Sequence, residues 1–123
     1  MRIVLFAALA AATVGMIAPA TAQEAKQDFR LVNRTGYELK ELYVSPTKSD
    51  DWQDDVLGKD VLEDGKAVNI HFSRNARTCN WDLKVVYTED SSKAVWGDID
   101  LCSVEKITIH YDRKNDVTRA TFD

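Results

Sequence analysis

Apolar and polar residues alternate along several short stretches of this chain. In the run 67–73, Val68, Ile70 and Phe72 fall on one face while Asn69 and His71 fall on the other. Trp81, Leu83, Val85 and Tyr87 alternate with Asp82, Lys84 and Val86, and Ile107, Ile109 and Tyr111 with Lys106, Thr108 and His110. A period of two is the period of a strand with one buried face. Stretches at 29–33, 37–45, 94–101 and 117–122 are likewise rich in β-branched and aromatic residues and bounded by turn-forming clusters. With the runs at 67–73, 81–88 and 106–112, this makes about seven candidate strands. Hairpin turns are expected at Thr35-Gly36, at 89–92 and at 113–116. The pattern therefore predicts an all-β fold, an antiparallel sandwich or small barrel.

Two places break the alternation. Leu39 and Leu42 have opposite parity, and Trp96 disagrees with Ile99 and Leu101 across Gly97. A glycine inside a strand often marks a bulge that shifts the phase by one, which lets Trp96 and Ile99 face inward together. One stretch reads as helix, residues 51–57. Asp50 can cap its first turn, Gln53 can return the bond, Gly58 can close the end, and Trp52 and Val56 share a face. The polar residues 23–27 read as a frayed leader to the first strand.

Composition adds a compartment. Residues 1–22 carry Arg2, then an apolar run over 3–16, then Ala20-Thr21-Ala22, the pattern of a cleaved export signal. What remains, 23–123, is the length of one domain. Its side chains carry 15 basic against 20 acidic groups once Arg2 is removed, a formal charge of about −5 that repels phosphate backbones and anionic lipid. Neither nucleic acid nor a membrane surface is expected as a partner after cleavage, and the expected location is periplasmic. Cys79 and Cys102 are the only cysteines, and an even count in an oxidising compartment predicts a disulfide. A thiol metal site would call for a CxxC spacing or a nearby histidine, and the sequence has neither. Asn33-Arg34-Thr35 matches a glycosylation sequon, a match too short to carry weight.

Candidate chemistry is sparse. No serine sits in a G-x-S-x-G elbow, and no catalytic constellation is evident. The two histidines, His71 and His110, occupy outward strand positions; on neighbouring strands they could hold zinc or copper with nearby acids. The segment 50–64 carries Asp50, Asp51, Asp54, Asp55, Asp60, Glu63 and Asp64 against Lys59, but lacks the spacing of a calcium loop, and such runs are ordinarily solvated surface. Three tryptophans remain: Trp81 and Trp96 within strands, Trp52 outside them beside Asp51 and Asp55. A ring flanked by carboxylates can stack on a sugar and accept its hydroxyl bonds, so Trp52, Asp51 and Asp55 form the candidate binding site for a glycan or protein partner.

The run Leu42-Tyr43-Val44-Ser45-Pro46, then Asp51-Trp52, Asp55-Val56-Leu57-Gly58, Asp60-Val61-Leu62 and Gly65, continues through Cys79-Asn80-Trp81-Asp82-Leu83 to Asp100-Leu101-Cys102. In order and spacing it resembles a group of small uncharacterised exported proteins of alphaproteobacteria and related bacteria. The resemblance implies a periplasmic β domain with its two cysteines paired, and it supplies no catalytic residue. Some members carry the label argininosuccinate lyase. True lyases of that name are large helical tetramers with a Gly-Ser-Ser loop, which this chain cannot form, so the label is not carried over. The sequence reading is thus a non-enzymatic periplasmic binding or interaction module without a cofactor. The alternative is a metal-binding or metal-dependent protein using His71, His110 and the acids.

Overall fold

The computed structural model describes residues 25–123, so the expected export signal lies outside the described residues. Seven strands follow in order: β1 Phe29–Arg34, β2 Leu39–Pro46, β3 Ala67–Ile70, β4 Asn80–Tyr87, β5 Lys93–Asp100, β6 Lys106–Asp112 and β7 Val117–Phe122. They form a sandwich, not a closed barrel. One sheet has the order β3-β1-β6-β7 and the other β2-β4-β5. The alternating apolar positions meet between the sheets. Leu31, Ile107 and Ile109 from one sheet and Leu39, Leu42 and Val85 from the other are completely buried.

Both phase breaks are bulges. Lys40 is the extra residue where the β2–β4 register shifts between Leu39 and Glu41, so Leu39 and Leu42 both point inward. On β5 the shift falls opposite Asp82, between the Leu83–Trp96 and Trp81–Ile99 pairs. Asp98 there has φ +57°, and Asp82 Oδ1 accepts its N–H at 2.9 Å and the Thr47 hydroxyl at 2.9 Å. At Gly97 a Cβ would come within 3.3 Å of Asp82 Oδ1, a tight contact with the oxygen that bonds Asp98 and Thr47. The bulge leaves Cys79 facing Leu101, whose N–H bonds the Cys79 carbonyl at 2.8 Å. A single 3-10 turn, Leu101–Ser103, then swings Cys102 back, and the Cys79–Cys102 disulfide forms with Cα atoms 5.3 Å apart.

Four features depart from the sequence reading. The segment 51–57 is not a helix. Asp51 Oδ1 takes the Gln53 N–H at 3.0 Å while Gln53 sits at φ +65°, and Asp55 Oδ1 takes the Leu57 N–H at 3.0 Å. Short acidic side chains that bond the backbone two residues on offer it an alternative to helical turns, and here that alternative wins. Second, Thr35-Gly36 is not a hairpin, because β1 and β2 lie in different sheets and the link crosses between them. Third, β1 and β6 pair in parallel, whereas the other four strand pairs are antiparallel. A parallel pair requires a long connection, and the whole of β2 to β5 lies between these strands. Fourth, Gln27 is not frayed. It is 3% exposed, and its amide donates to the Ala76 and Thr78 carbonyls at 3.1 and 2.9 Å.

The segment between β2 and β3 is a strap along the outer edge of β2. Leu39 and Leu62 exchange backbone bonds of 3.0 and 2.8 Å, Val56 N–H donates to the Leu42 carbonyl at 2.8 Å, and the Leu42 N–H donates to Asp55 Oδ1 at 2.8 Å. Unpaired strand edges invite association with other chains, and here the strap satisfies the edge.

Candidate functional site

Trp52, Asp51 and Asp55 lie at one corner of the β2-β4-β5 sheet, and the chain has given them local work. Asp55 Oδ1 receives two backbone N–H groups, from Leu42 and Leu57, and so fastens the strap to β2. Asp51 Oδ1 closes the turn at Gln53, while the Asp51 carbonyl accepts the Ser45 hydroxyl at 2.8 Å. The half-buried Trp52 ring lies 6.5 Å from Tyr43, and the Lys84 ammonium sits over both, 4.5 Å from Tyr43 and 5.0 Å from Trp52. Tyr43 also donates its hydroxyl to Glu41 at 2.8 Å, a bond that pushes its ionisation up to about 12. The three predicted residues are therefore near one another, but Asp51 and Asp55 serve the backbone and Trp52 is covered in part by a lysine. The expected shared face of Trp52 and Val56 is not formed: Val56 is 46% exposed, and Leu57 is the buried residue of this turn.

The histidines are not brought together. Ile70, the neighbour of His71, faces Phe29 at the start of β1, whereas His110 faces Arg34 at its end. At the rise of a strand that is on the order of 20 Å. His71 is instead paired with Asp28, Nδ1 to Oδ2 at 3.3 Å. Burial acts to raise the Asp28 carboxyl, but N–H bonds from Phe72 and Ala25 and the His71 ring outweigh it and hold the group below the ordinary carboxylate range. Among the described residues the one convergence of three potential ligands is Cys79, Asp100 and Cys102, and there both sulfurs are bonded to each other. In the acidic segment, Asp64 joins Asp51 and Asp55 in bonding backbone, accepting the Gly36 N–H at 2.8 Å.

A different group of residues surrounds a hollow of about 440 Å³ at the end of the sandwich where β4 turns into β5 and β6 into β7. Three tyrosines line it: Tyr37 before β2, Tyr87 at the end of β4 and Tyr111 on β6. Their ring centroids are 5.6 Å apart for Tyr37–Tyr111, 6.1 Å for Tyr87–Tyr111 and 6.2 Å for Tyr37–Tyr87, with planes inclined at 79°, 66° and 89°. Glu89, Asp90 and Asp116 add carboxylates, against Lys93 of the lining. Two of these carboxylates are positioned. Asp90 accepts the Ser92 hydroxyl and N–H at 2.7 and 3.0 Å, which lowers its ionisation, and Asp116 accepts the Tyr111 hydroxyl at 2.6 Å. That bond pushes Tyr111 up to about 12. Tyr87 is 7% exposed, donates to or accepts from Thr118 at 2.8 Å, and is raised by burial. The sequence reading missed this site because its parts are far apart in the chain. The available signal was positional and covered two of the three: Tyr87 and Tyr111 each stand at the end of a strand that runs into an acidic turn.

Comparison with protein-family models, with curated proteins and with solved structures finds no match for this chain.

Proposed function

We propose that this chain is a non-enzymatic binding module of an exported, oxidising compartment, and that its ligand or partner enters the tyrosine pocket. The carrying observation is the contrast between two aromatic sites. At Trp52 the neighbouring carboxylates serve the backbone, whereas at Tyr37, Tyr87 and Tyr111 a hollow of about 440 Å³ is lined by rings and carboxylates together. The lining is more polar than the mostly apolar walls of an ordinary small-ligand site, and rings beside fixed carboxylates suit a polar or charged ligand. The Cys79–Cys102 disulfide supports export, since such bonds persist in oxidising surroundings. Among the described residues no helix is long and apolar enough to cross a membrane. The resemblance to small exported proteins points the same way.

Backbone amide shifts of residues 23–123, followed while a panel of small molecules is added, test this reading. The expected result is a set of saturable shifts centred on Tyr37, Tyr87, Ser92 and Thr118, with every panel molecule recovered unchanged. Chemical conversion of a bound molecule would overturn the non-enzymatic part. A second reading is favoured by the half-exposed Trp52–Tyr43 pair, which could meet a protein or glycan partner. Saturable shifts centred on Trp52 and Tyr43, with the pocket unmoved, would transfer the site there.

A further inference from the structure

We propose that the tyrosine pocket selects a trimethylammonium headgroup, an inference that rests on the pocket being the binding site and adds the chemistry of what it binds. Three ring planes set 66° to 89° apart, with centroids 5.6 to 6.2 Å from one another, form an edge-to-face cluster, and all three residues line the hollow. With the centroids this close together, a cation in the hollow can come within the roughly 6 Å reach of the cation–π attraction of more than one ring. Tyr87 is nearly buried, and Tyr37 and Tyr111 are half exposed. The Arg113 guanidinium carbon lies 5.9 Å from the Tyr37 ring centre, so this ring attracts a cation and a ligand there would compete with Arg113 for it.

The polar groups narrow the ligand further. The Tyr87 and Tyr111 hydroxyls are bonded to Thr118 and Asp116, leaving the ring surfaces as their contribution to the pocket. A methylated ammonium needs no hydrogen-bond acceptor and can rest on ring surfaces alone, so a primary amine, which the carboxylates of the lining could also bond, is the competitor to compare. Glu89, Asp90 and Asp116 supply negative charge around the hollow, with Lys93 as the opposing charge of the lining. Free choline and a choline lipid headgroup present the same chemistry.

Calorimetric titration of residues 23–123 with choline is the test, beside 3,3-dimethylbutanol, which has the same shape without the charge. Saturable choline binding and about tenfold weaker binding of the neutral alcohol are expected. Tyr37→Leu should weaken choline about tenfold, and Tyr111→Phe, which keeps the ring, should bind at least as a recognisable site within a few-fold of the parent. Glu89→Gln guards against misfolding as an explanation, because this exposed side chain can lose its charge without disturbing the core; it should weaken choline and leave the alcohol unchanged. Binding to phosphatidylcholine vesicles without binding of free choline would assign the lipid as source. Equal affinity for choline and the alcohol, or no binding of either choline source, overturns the inference. If other molecules still shift the pocket amides in that case, the pocket stands and only the cation is wrong.

Discussion

Asn33 shows how much one residue can hold in a small β domain. It is completely buried, and its amide donates to the Tyr37 and Leu62 carbonyls at 2.8 and 2.9 Å. Its Oδ1 accepts the Thr35 N–H and hydroxyl at 3.0 and 2.7 Å, so one side chain joins β1, the crossing to β2 and the strap. Removing it would leave several buried partners unpaired, each at about 1 to 3 kcal/mol. Asn33→Ala is therefore expected to lower unfolding free energy by about 3 kcal/mol or more, measured by denaturant titration. A loss under about 1 kcal/mol would show that water or neighbours replace these bonds. In the sequence the same residue was legible only as the first position of a sequon, because its bonds reach 29 residues along the chain. The roles of Asp51 and Asp55 were hidden for a related reason: a carboxylate beside a tryptophan looks alike whether it faces a ligand or bonds Leu42 N–H.

Strands were the legible elements, since a two-residue period with one buried face leaves its mark directly in the order of residues. β6 and β7 fall at the expected positions, the bulge expected at Gly97 is present, and the parity break at Leu39 turns out to be a second one. The short helix was misread because capping residues are the same residues that close tight turns, and no packing argument in the sequence separates the two uses. Pairing was also out of reach: that β1 adjoins β6 depends on sheet crossings that leave no local trace. The disulfide was legible from compartment, and it fastens the open end of the β4–β5 hairpin. In the chain-entropy account its loop is worth about 3 kcal/mol. The double substitution of Cys79 and Cys102 by serine should lower the unfolding free energy from denaturant titration by about that amount, and mass measurement of the alkylated, unreduced parent protein should find no labelled thiol. Labelling of both cysteines would contradict the bond.

At the scale of the whole molecule, stability is set between an acid limit and an alkaline one. Asp28 anchors the chain before β1 to the segment after β3 and has its carboxyl held below 3.8 in the folded state. An unfolded chain then binds more protons than the folded one as pH falls past 3.8, so the stability from Asp28 is present above that value and disappears through the lower folded one. Asp28→Asn should flatten the fall in unfolding free energy below about pH 4. Tyr43 and Tyr111 act in the opposite sense, with ionisation raised from 10.0 to about 12. Their contribution is intact below 10 and vanishes as pH rises through the folded value. Phenolate absorbance should show three late-ionising tyrosines, Tyr43, Tyr111 and the buried Tyr87, and Tyr111→Phe should remove one of them.

The covalent link from Cys79 to Cys102 encloses the β4–β5 turn, which carries Glu89 and Asp90 of the pocket wall and leads into the exposed Lys93 at the start of β5. Exposed loop tips are where proteases enter first. A molecule clipped after Lys93 would stay in one piece on a non-reducing gel and part into two bands only when a thiol is added. Such a clipped form would keep both sheets while losing the continuity of the pocket rim, so a preparation of full apparent mass can still be one that has been cut.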